Sequence, residues 1–595
     1  MSSTTCSICL ATAQARGGVA LMAPGCCGAW YHQTCIDNVI AAGGRNCPMC
    51  RQALPLPAAP AFPIAAVPNV APAAPASRGG IFGFFGSARN NSALPPTNNI
   101  RAAPFYSSAV SFAPSVSEDL LTAPTVAAAA AGTVAVPTMT VSTSPEFPEL
   151  SRNAREEFYA RVSVKYEDLE AISLQKVPVD IVCVLDNSGS MQGSKISSLK
   201  KAMEFVIQTL GTNDRLSIVN FNSNATPLHG LLKMNSTNQG TATAAIRSLH
   251  ATGGTDILDG MRSGWSILEN RKTKNPASCM FLLTDGQDRD NTAEKLNLAR
   301  SMKSAGTSLF VFGFGTDHDS EHMDAIANAA EGVFTYVESD NMVTDAFGGT
   351  IGAQQGQSLS NITLSLQACE RDVRITQVLS GRYPHALLAD GRAASVSFVN
   401  MFLGESREVL VKLSVPAVTD TVLDYELVRA TATFRVQGET AAVPLREAQL
   451  PATCVVQRLS ADRLNPALTR DMEVDVQLNR LQITAAVDSA LKDADAGRMD
   501  AARATLTSAR ILLLASVSHQ AKHLTALSLL QEVDDALSRV QSRAEYDRGG
   551  RAMMQECVSS NAYQRSTYNK AGRIAKFQTS HSASMQQQAS SSSHP

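Results

Sequence analysis

A multidomain α/β chain is predicted, with a doubly wound parallel-sheet domain at its centre. An N-terminal zinc module precedes this domain, and an antiparallel β-sandwich and a C-terminal helical region follow it. Three observations predict this. Between Val177 and Gly352, near-continuous apolar runs alternate with helical periodicity, as in a parallel sheet covered on both faces. Seven of the 12 cysteines fall between Cys6 and Cys50, six as three closely spaced pairs and the seventh, Cys35, three residues after His32. After Ser358 the apolar segments become short and alternating, with turn signals between them. At 595 residues, the chain is too long for one hydrophobic core.

The charge balance is near neutral, with Lys+Arg 51 against Asp+Glu 53. That argues against a nucleic-acid binder or a binder of anionic membranes, either of which carries a basic excess. No segment reaches the ~18 apolar residues of a membrane span; the Ala-rich stretch Val126–Val136 is short and ends at Pro137. The N-terminus MSSTTCSICL shows no secretory signal. Clustered C-x-x-C pairs in such a setting read as metal ligands and not as disulfides. The expected compartment is reducing and intracellular: cytoplasmic, with the nucleus as the alternative.

Residues 1–54 hold Cys6-x-x-Cys9, vicinal Cys26–Cys27, His32-x-x-Cys35 and Cys47-x-x-Cys50. Four pairs of sulfur and nitrogen ligands make two tetrahedral Zn²⁺ sites. A module this small needs the metals for its folding energy. The pattern resembles a RING finger. The resemblance implies cross-bracing, with Cys6, Cys9, His32 and Cys35 on one zinc and Cys26, Cys27, Cys47 and Cys50 on the other. It also implies a docking surface for a ubiquitin-conjugating enzyme at Ile8, Val39, Pro48 and Arg51, where Val39 stands in place of a common tryptophan. The family's usual C-x-H would put a histidine at Ala29. Without it, Cys26 and Cys27 share one zinc or Cys26 alone is structural. The C-C-G-x-W-Y-H run also resembles PHD-type zinc fingers, although Arg45 occupies the position of their tryptophan.

Residues 55–150 are rich in Pro, Ala, Ser and Asn, carry few charges and show no period. Such a segment cannot bury enough surface to offset its ordering entropy, so a disordered tether is expected. Its aromatic cluster Ile81–Phe85 reads as a transient patch or a short docking motif. In residues 151–176, FYARVSVKY (Phe158–Tyr166) alternates like a strand and has no neighbour of its own. It is expected to join the sandwich, with a plain linker strand as the alternative.

In the central domain, residues 177–352, candidate strands are Asp180–Leu185, Arg215–Phe221, Ser278–Leu283, Ser308–Gly313 and Val333–Val337. The first ends in D-x-S-x-S (Asp186, Ser188, Ser190), followed by a helix with Leu199, Met203 and Val206 on one face. Gly253-Gly254-Thr255-Asp256 precedes another helix, Ile257–Leu268, and Thr284-Asp285-Gly286 ends the strand CMFLL. All three loops leave the carboxyl edge of the sheet, where open α/β sheets bind ligands. Oxygen donors alone suit a hard cation, Mg²⁺ or Mn²⁺. The series resembles the metal-ion-dependent adhesion site of von Willebrand factor A domains. The resemblance implies ligation by Asp186, Ser188, Ser190, Thr255 and Asp285, and capture of a partner's Asp or Glu carboxylate on the metal. Metal-assisted hydrolysis also needs a placed base; the nearby His250 and His318 read as solvated loop side chains.

Residues 358–460 are expected to form an antiparallel sandwich from Asn361–Leu366, Val373–Val378, Ser395–Phe398, Glu408–Val415, Thr431–Val436 and Ala442–Pro444. Residues 471–570 have helical periodicity, broken at Gly497, and suit a bundle or hairpin. The apolar faces of these helices serve core packing or a homodimer. Residues 576–595, rich in Gln and Ser, read as a disordered tail.

The order of modules resembles the plant RING–von Willebrand A ubiquitin ligases of the wavy-growth type. That resemblance implies a ligase without a covalent intermediate: the zinc module recruits a charged conjugating enzyme and the adhesion site binds the protein substrate. The alternative is a non-enzymatic, metal-dependent binding scaffold with a structural or PHD-like zinc finger.

Overall fold

The computed structural model describes residues 137–593, apart from 168–176, 317, 339–341, 357, 440–441, 567–573 and 575, together with two short strands nearer the N-terminus. Residues 1–132 and 133–595 are separate compact units. In the first, Leu21–Met22 pairs antiparallel with Tyr31–His32. The zinc ligands (His32 apart from its strand backbone), the docking positions and the tether up to residue 136 lie outside the described residues.

In the second unit, β1 (Val179–Asp186), β2 (Arg215–Phe221), β3 (Ala225–Lys233), β4 (Ala277–Thr284), β5 (Ser308–Phe314) and β6 (Phe334–Val337) form one sheet in the order β6-β5-β4-β1-β2-β3. All pairings are parallel except β2 with β3. Every residue of β1 and β4 is buried, which explains their unbroken apolar sequences. The helices are α1 (Ser194–Thr209), α2 (Ser236–Arg247), α3 (Ile257–Glu269), α4 (Thr292–Ser304), α5 (Ser320–Ala329) and α6 (Met342–Gln355). One face of the sheet packs Ile181, Cys183 and Phe281 against Leu199 and Met203 of α1 and Phe347 of α6. The other packs Val182, Val184 and Met280 against Met261 of α3 and Met323 of α5. The chain runs from β1 outward through β2 and β3, then returns to β4 on the other side of β1. The order reverses between β1 and β4, so the crevice at their carboxyl ends is the topological switch point.

Two sheets share a separate core, antiparallel except where Ala452–Leu459 pairs parallel with Glu149–Ser151. One runs Arg374–Leu379, Ser406–Val415, Arg155–Tyr166, Met139–Pro145. The other includes Ala393–Phe402, Ser358–Ala368, Val422–Val436 and Ala452–Leu459. Arg155–Tyr166 pairs with Ser406–Val415 in a register that sets Val162 opposite Val409. The α/β domain is therefore inserted between a strand of one sheet and the first long strand of the other.

Three expectations are corrected here. Met139–Pro145 and Glu149–Ser151 are strands of the sandwich, so the expected tether runs too far; their Ser/Thr-rich sequence hides a strand whose side chains are mostly half-buried. Ala442–Pro444 does not form a strand; its place beside Val422–Val436 is taken by Arg446–Glu447 and Ala452–Leu459. The tail forms a helix, Ser580–Ser593, in which Ser582 donates to the Gly349 carbonyl of α6 at 3.0 Å and Met585 is buried.

The C-terminal helices α7 (Met472–Asp495), α8 (Met499–Leu514), α9 (Leu524–Arg539) and α10 (Arg551–Tyr563) join the core that lies under α3 and α5. Most of their apolar residues pack within the chain, while Ile511 and Leu512 of α8 and Leu524 of α9 stay exposed. Helix α10 also covers the edge strand β6: Ser559 Oγ accepts from the Phe334 amide at 3.3 Å and Glu556 from the Tyr336 amide at 3.2 Å. An edge strand's free amides, which would otherwise invite pairing with another chain, are thus satisfied internally. No helix among the described residues is long and apolar enough to cross a membrane.

Candidate metal site at the switch point

Asp186 is the last residue of β1 and is fully buried. Its Oδ1 accepts from the Ser188 amide at 2.8 Å, and its Oδ2 from the Thr284 hydroxyl at the end of β4 at 2.5 Å. The carboxylate therefore ties the two strands that flank the switch point. Burial pushes its pKa up to about 6, opposed by the bonds from Ser188 and Thr284 and reinforced by the nearby charge of Asp285. At neutral pH it is ionised in a place that disfavours lone charge, a cost that a bound cation would offset.

The loop after β1 is held on both sides. The Asn187 amide donates to the Phe221 carbonyl of β2 at 2.9 Å, Thr252 donates to the Asn187 carbonyl at 2.8 Å, and Gly189 donates to the Gly253 carbonyl at 3.1 Å. The Asn187 side chain reaches the His250 carbonyl at 2.9 Å. Ser188 Oγ then lies 3.0 Å from Ser190 Oγ, and Ser190 donates to Asp285 Oδ1 at 2.7 Å. Four of the five residues expected from the sequence are thus hydrogen-bonded in series, Asp186 to Ser188 through the Ser188 amide and the rest through side-chain oxygens.

Thr255 packs closely against Gly286, the residue that follows Asp285. A Cβ on Gly286 would lie 2.6 Å from Thr255 Cγ2 and 3.2 Å from its Oγ1; glycine is what lets the two loops meet. Asp256 caps α3 by accepting from Asp259 at 2.9 Å. Asp288 accepts from the Ile257 amide at 2.9 Å and pairs with buried Lys295 at 2.7 Å, locking the start of α3 to the loop after β4. Gly286→Val is expected to force Thr255 outward and cost about 1–3 kcal/mol of stability by overpacking, measurable by urea denaturation.

The donor set fits a hard cation: two carboxylates and three hydroxyls, with room for water among neutral oxygens. Asp186, Ser188, Ser190, Thr255 and Asp285 would hold it. Among the described residues no group of three or more His, Cys, Asp or Glu suits a metal, so hydroxyl donors distinguish this site. His318 is not a solvated loop side chain: it is buried, with its ring centroid 5.6 Å from those of both Phe334 and Tyr336. His250 is exposed and enters the site's network through its carbonyl. Two residues escaped the sequence reading: Thr284, visible only as the first letter of T-D-G, and Lys195, whose ammonium donates to Asp285 Oδ2 at 2.5 Å.

A polar cleft of about 750 Å³ includes Gln287, two residues beyond Asp285 in the chain, but none of the five candidate ligands lines it. Gln287, Arg289, Thr316 and Asp319 line it from the sheet edge, and Asp547, Arg548 and Arg551 from the helical region.

Comparison with known proteins fits this geometry. Residues 180–348 match the von Willebrand factor type A domain model. The chain is 26% identical over 384 residues to the E3 ubiquitin-protein ligase WAV3 of Arabidopsis thaliana, covering 62% of this chain and 47% of that protein. It is 28% identical over 258 residues to the probable E3 ubiquitin-protein ligase WAVH2 of the same plant, covering 42% of this chain and 34% of that protein. The chain thus spans about half, or less, of the length of these relatives. A solved von Willebrand factor type A protein from Catenulispora acidiphila shares the fold over 73% of this chain and 98% of its own, with a TM-score of 0.51 and 18% identity. Residues 180–348 are a von Willebrand factor type A domain, in a chain whose similarity to plant ubiquitin ligases extends beyond that domain.

Proposed function

We propose that the chain is a RING-type E3 ubiquitin ligase whose von Willebrand A domain binds the protein substrate through Mg²⁺ or Mn²⁺. The observation that carries this reading is the pairing of two features. The long similarity to a named plant ligase accompanies four zinc-ligand pairs in residues 1–54. Two Zn²⁺ ions would fold the module, and Ile8, Val39, Pro48 and Arg51 would dock the conjugating enzyme. A cation on the switch-point oxygens would take an Asp or Glu of the substrate as its missing ligand. The ligase contributes proximity and orientation, with no covalent intermediate of its own. The segment between the zinc module and the first strand of the sandwich, about 80 residues, would set the effective concentration of substrate near the conjugating enzyme.

The vicinal Cys26–Cys27 pair and the missing histidine at Ala29 favour a second reading, a binding scaffold with a structural zinc knot. Self-ubiquitination with a panel of conjugating enzymes separates the two. The full chain is expected to build ubiquitin chains with at least one of them, and Ile8→Ala and Arg51→Ala to reduce the rate tenfold or more. A wild-type chain inactive with every conjugating enzyme sinks the ligase and leaves the scaffold.

A further inference from the structure

Lys195 sits in the first turn of α1, immediately after the D-x-S-x-S loop. Its ammonium is 2.5 Å from Asp285 Oδ2, while Ser190 takes the other oxygen of the same carboxylate at 2.7 Å. Asp285 is buried and the lysine side chain is 23% exposed. This ion pair is therefore largely withdrawn from solvent, where Coulomb interactions are stronger than at an open surface. The site as built holds two carboxylates and one ammonium, all joined through Ser188, Ser190 and Thr284.

We propose that Lys195 is an internal cation that competes with the divalent metal for Asp285 and so sets the site's metal affinity. This rests on the reading of the five oxygen-bearing residues as a cation site. Two effects act in the same direction. The ammonium occupies one oxygen of a carboxylate that the metal shell needs, directly or through water. Its positive charge also repels a divalent ion arriving among the same oxygens. With Lys195 in place, the ligand set offers the metal one net negative charge instead of two. The metal-loaded site then keeps a net positive charge, which suits capture of a partner's carboxylate. The lysine weakens the hold on the metal and leaves the loaded site more attractive to an anion. It is a positioning and tuning residue and is not itself a ligand.

The test is calorimetric titration of the full chain with Mg²⁺, with Asp186→Ala as the blank that lacks the site. Lys195→Met is expected to bind Mg²⁺ roughly tenfold more tightly than wild type, from removal of one like charge at close range. Lys195→Arg, which keeps the charge, is expected to stay near wild type. A purely structural lysine predicts the opposite for Lys195→Met, because loss of the ion pair would disorder Asp285 and weaken binding. Equal or weaker affinity in Lys195→Met overturns the proposal, as does tightening by Lys195→Arg of the same size. If Lys195→Met does not fold, as judged by circular dichroism, Lys195→Gln is read in its place. If neither wild type nor the lysine variants exceed the Asp186→Ala blank, the cation-site reading itself fails and this inference falls with it.

Discussion

Asp186→Ala is expected to abolish Mg²⁺-dependent thermal stabilisation and Mg²⁺-dependent capture of an acid-bearing partner, while self-ubiquitination stays at the wild-type level. The carboxylate stands at the end of β1 with no exposure to solvent. It organises the site by accepting from the Ser188 amide and the Thr284 hydroxyl. Its removal takes away one of the two negative charges that would hold the cation. It also leaves a buried amide without its acceptor, at about 1–3 kcal/mol. That second cost is independent of the metal, so the informative quantity is the shift on adding Mg²⁺, not the melting temperature itself. The proposed conjugating-enzyme surface lies in residues 1–54, so ubiquitin discharge without a captured substrate does not depend on Asp186. Partner binding that survives both the substitution and EDTA sinks the adhesion-site reading.

Tyr563→Ala is expected to destabilise residues 133–595 by about 3–5 kcal/mol, the usual range for deleting a buried aromatic side chain. Tyr563, the last residue of α10, is fully buried. Its ring meets Tyr383 of the sandwich edge-on, with centroids 5.3 Å apart, and the Tyr383 hydroxyl donates to its carbonyl at 2.7 Å. Its own hydroxyl donates to Asn328 of α5. One side chain thus joins the sandwich, the α/β domain and the helical region. The neighbouring Gln564 extends the seam: its side-chain amide exchanges hydrogen bonds with the backbone of Glu408 at 2.8 and 2.9 Å, as a strand residue would. Chemical denaturation followed by far-ultraviolet circular dichroism checks the loss. Tyr563→Phe, which deletes only the hydroxyl, is expected to cost about 1 kcal/mol. An alanine variant as stable as the phenylalanine variant would show that the three regions are held together elsewhere.

The residues themselves determined the central domain and its site. Strands buried on both faces must be apolar throughout, so β1 and β4 are visible as VDIVCVLD and ASCMFLLT. A carboxylate or hydroxyl that ends such a run stands out because nothing in the run's own packing calls for it. The edge strand β3 was not legible: its ATPLHGLLK sequence carries Pro and Gly, and its side chains are only partly covered. Met139–Pro145 and the helix Ser580–Ser593 escaped for a similar reason, since polar segments can be ordered by neighbours that composition does not reveal.

Only the tertiary structure decided how distant segments meet. The alternation in Phe158–Tyr166 marks a strand, but its partner Ser406–Val415 lies beyond the whole inserted domain. The periodicity of α10 marks a helix, but not that Glu556 and Ser559 satisfy the edge of the sheet. At the site, the spacing of D-x-S-x-S, G-G-T-D and T-D-G identifies the ligand residues. The short contact of Thr284 on Asp186 and the ammonium of Lys195 on Asp285 depend on how β1, β4 and α1 converge. The sequence specifies which groups can bear charge or donate a proton. Their mutual distance, which sets the strength of each electrostatic contact, arises when elements nearly a hundred residues apart pack side by side.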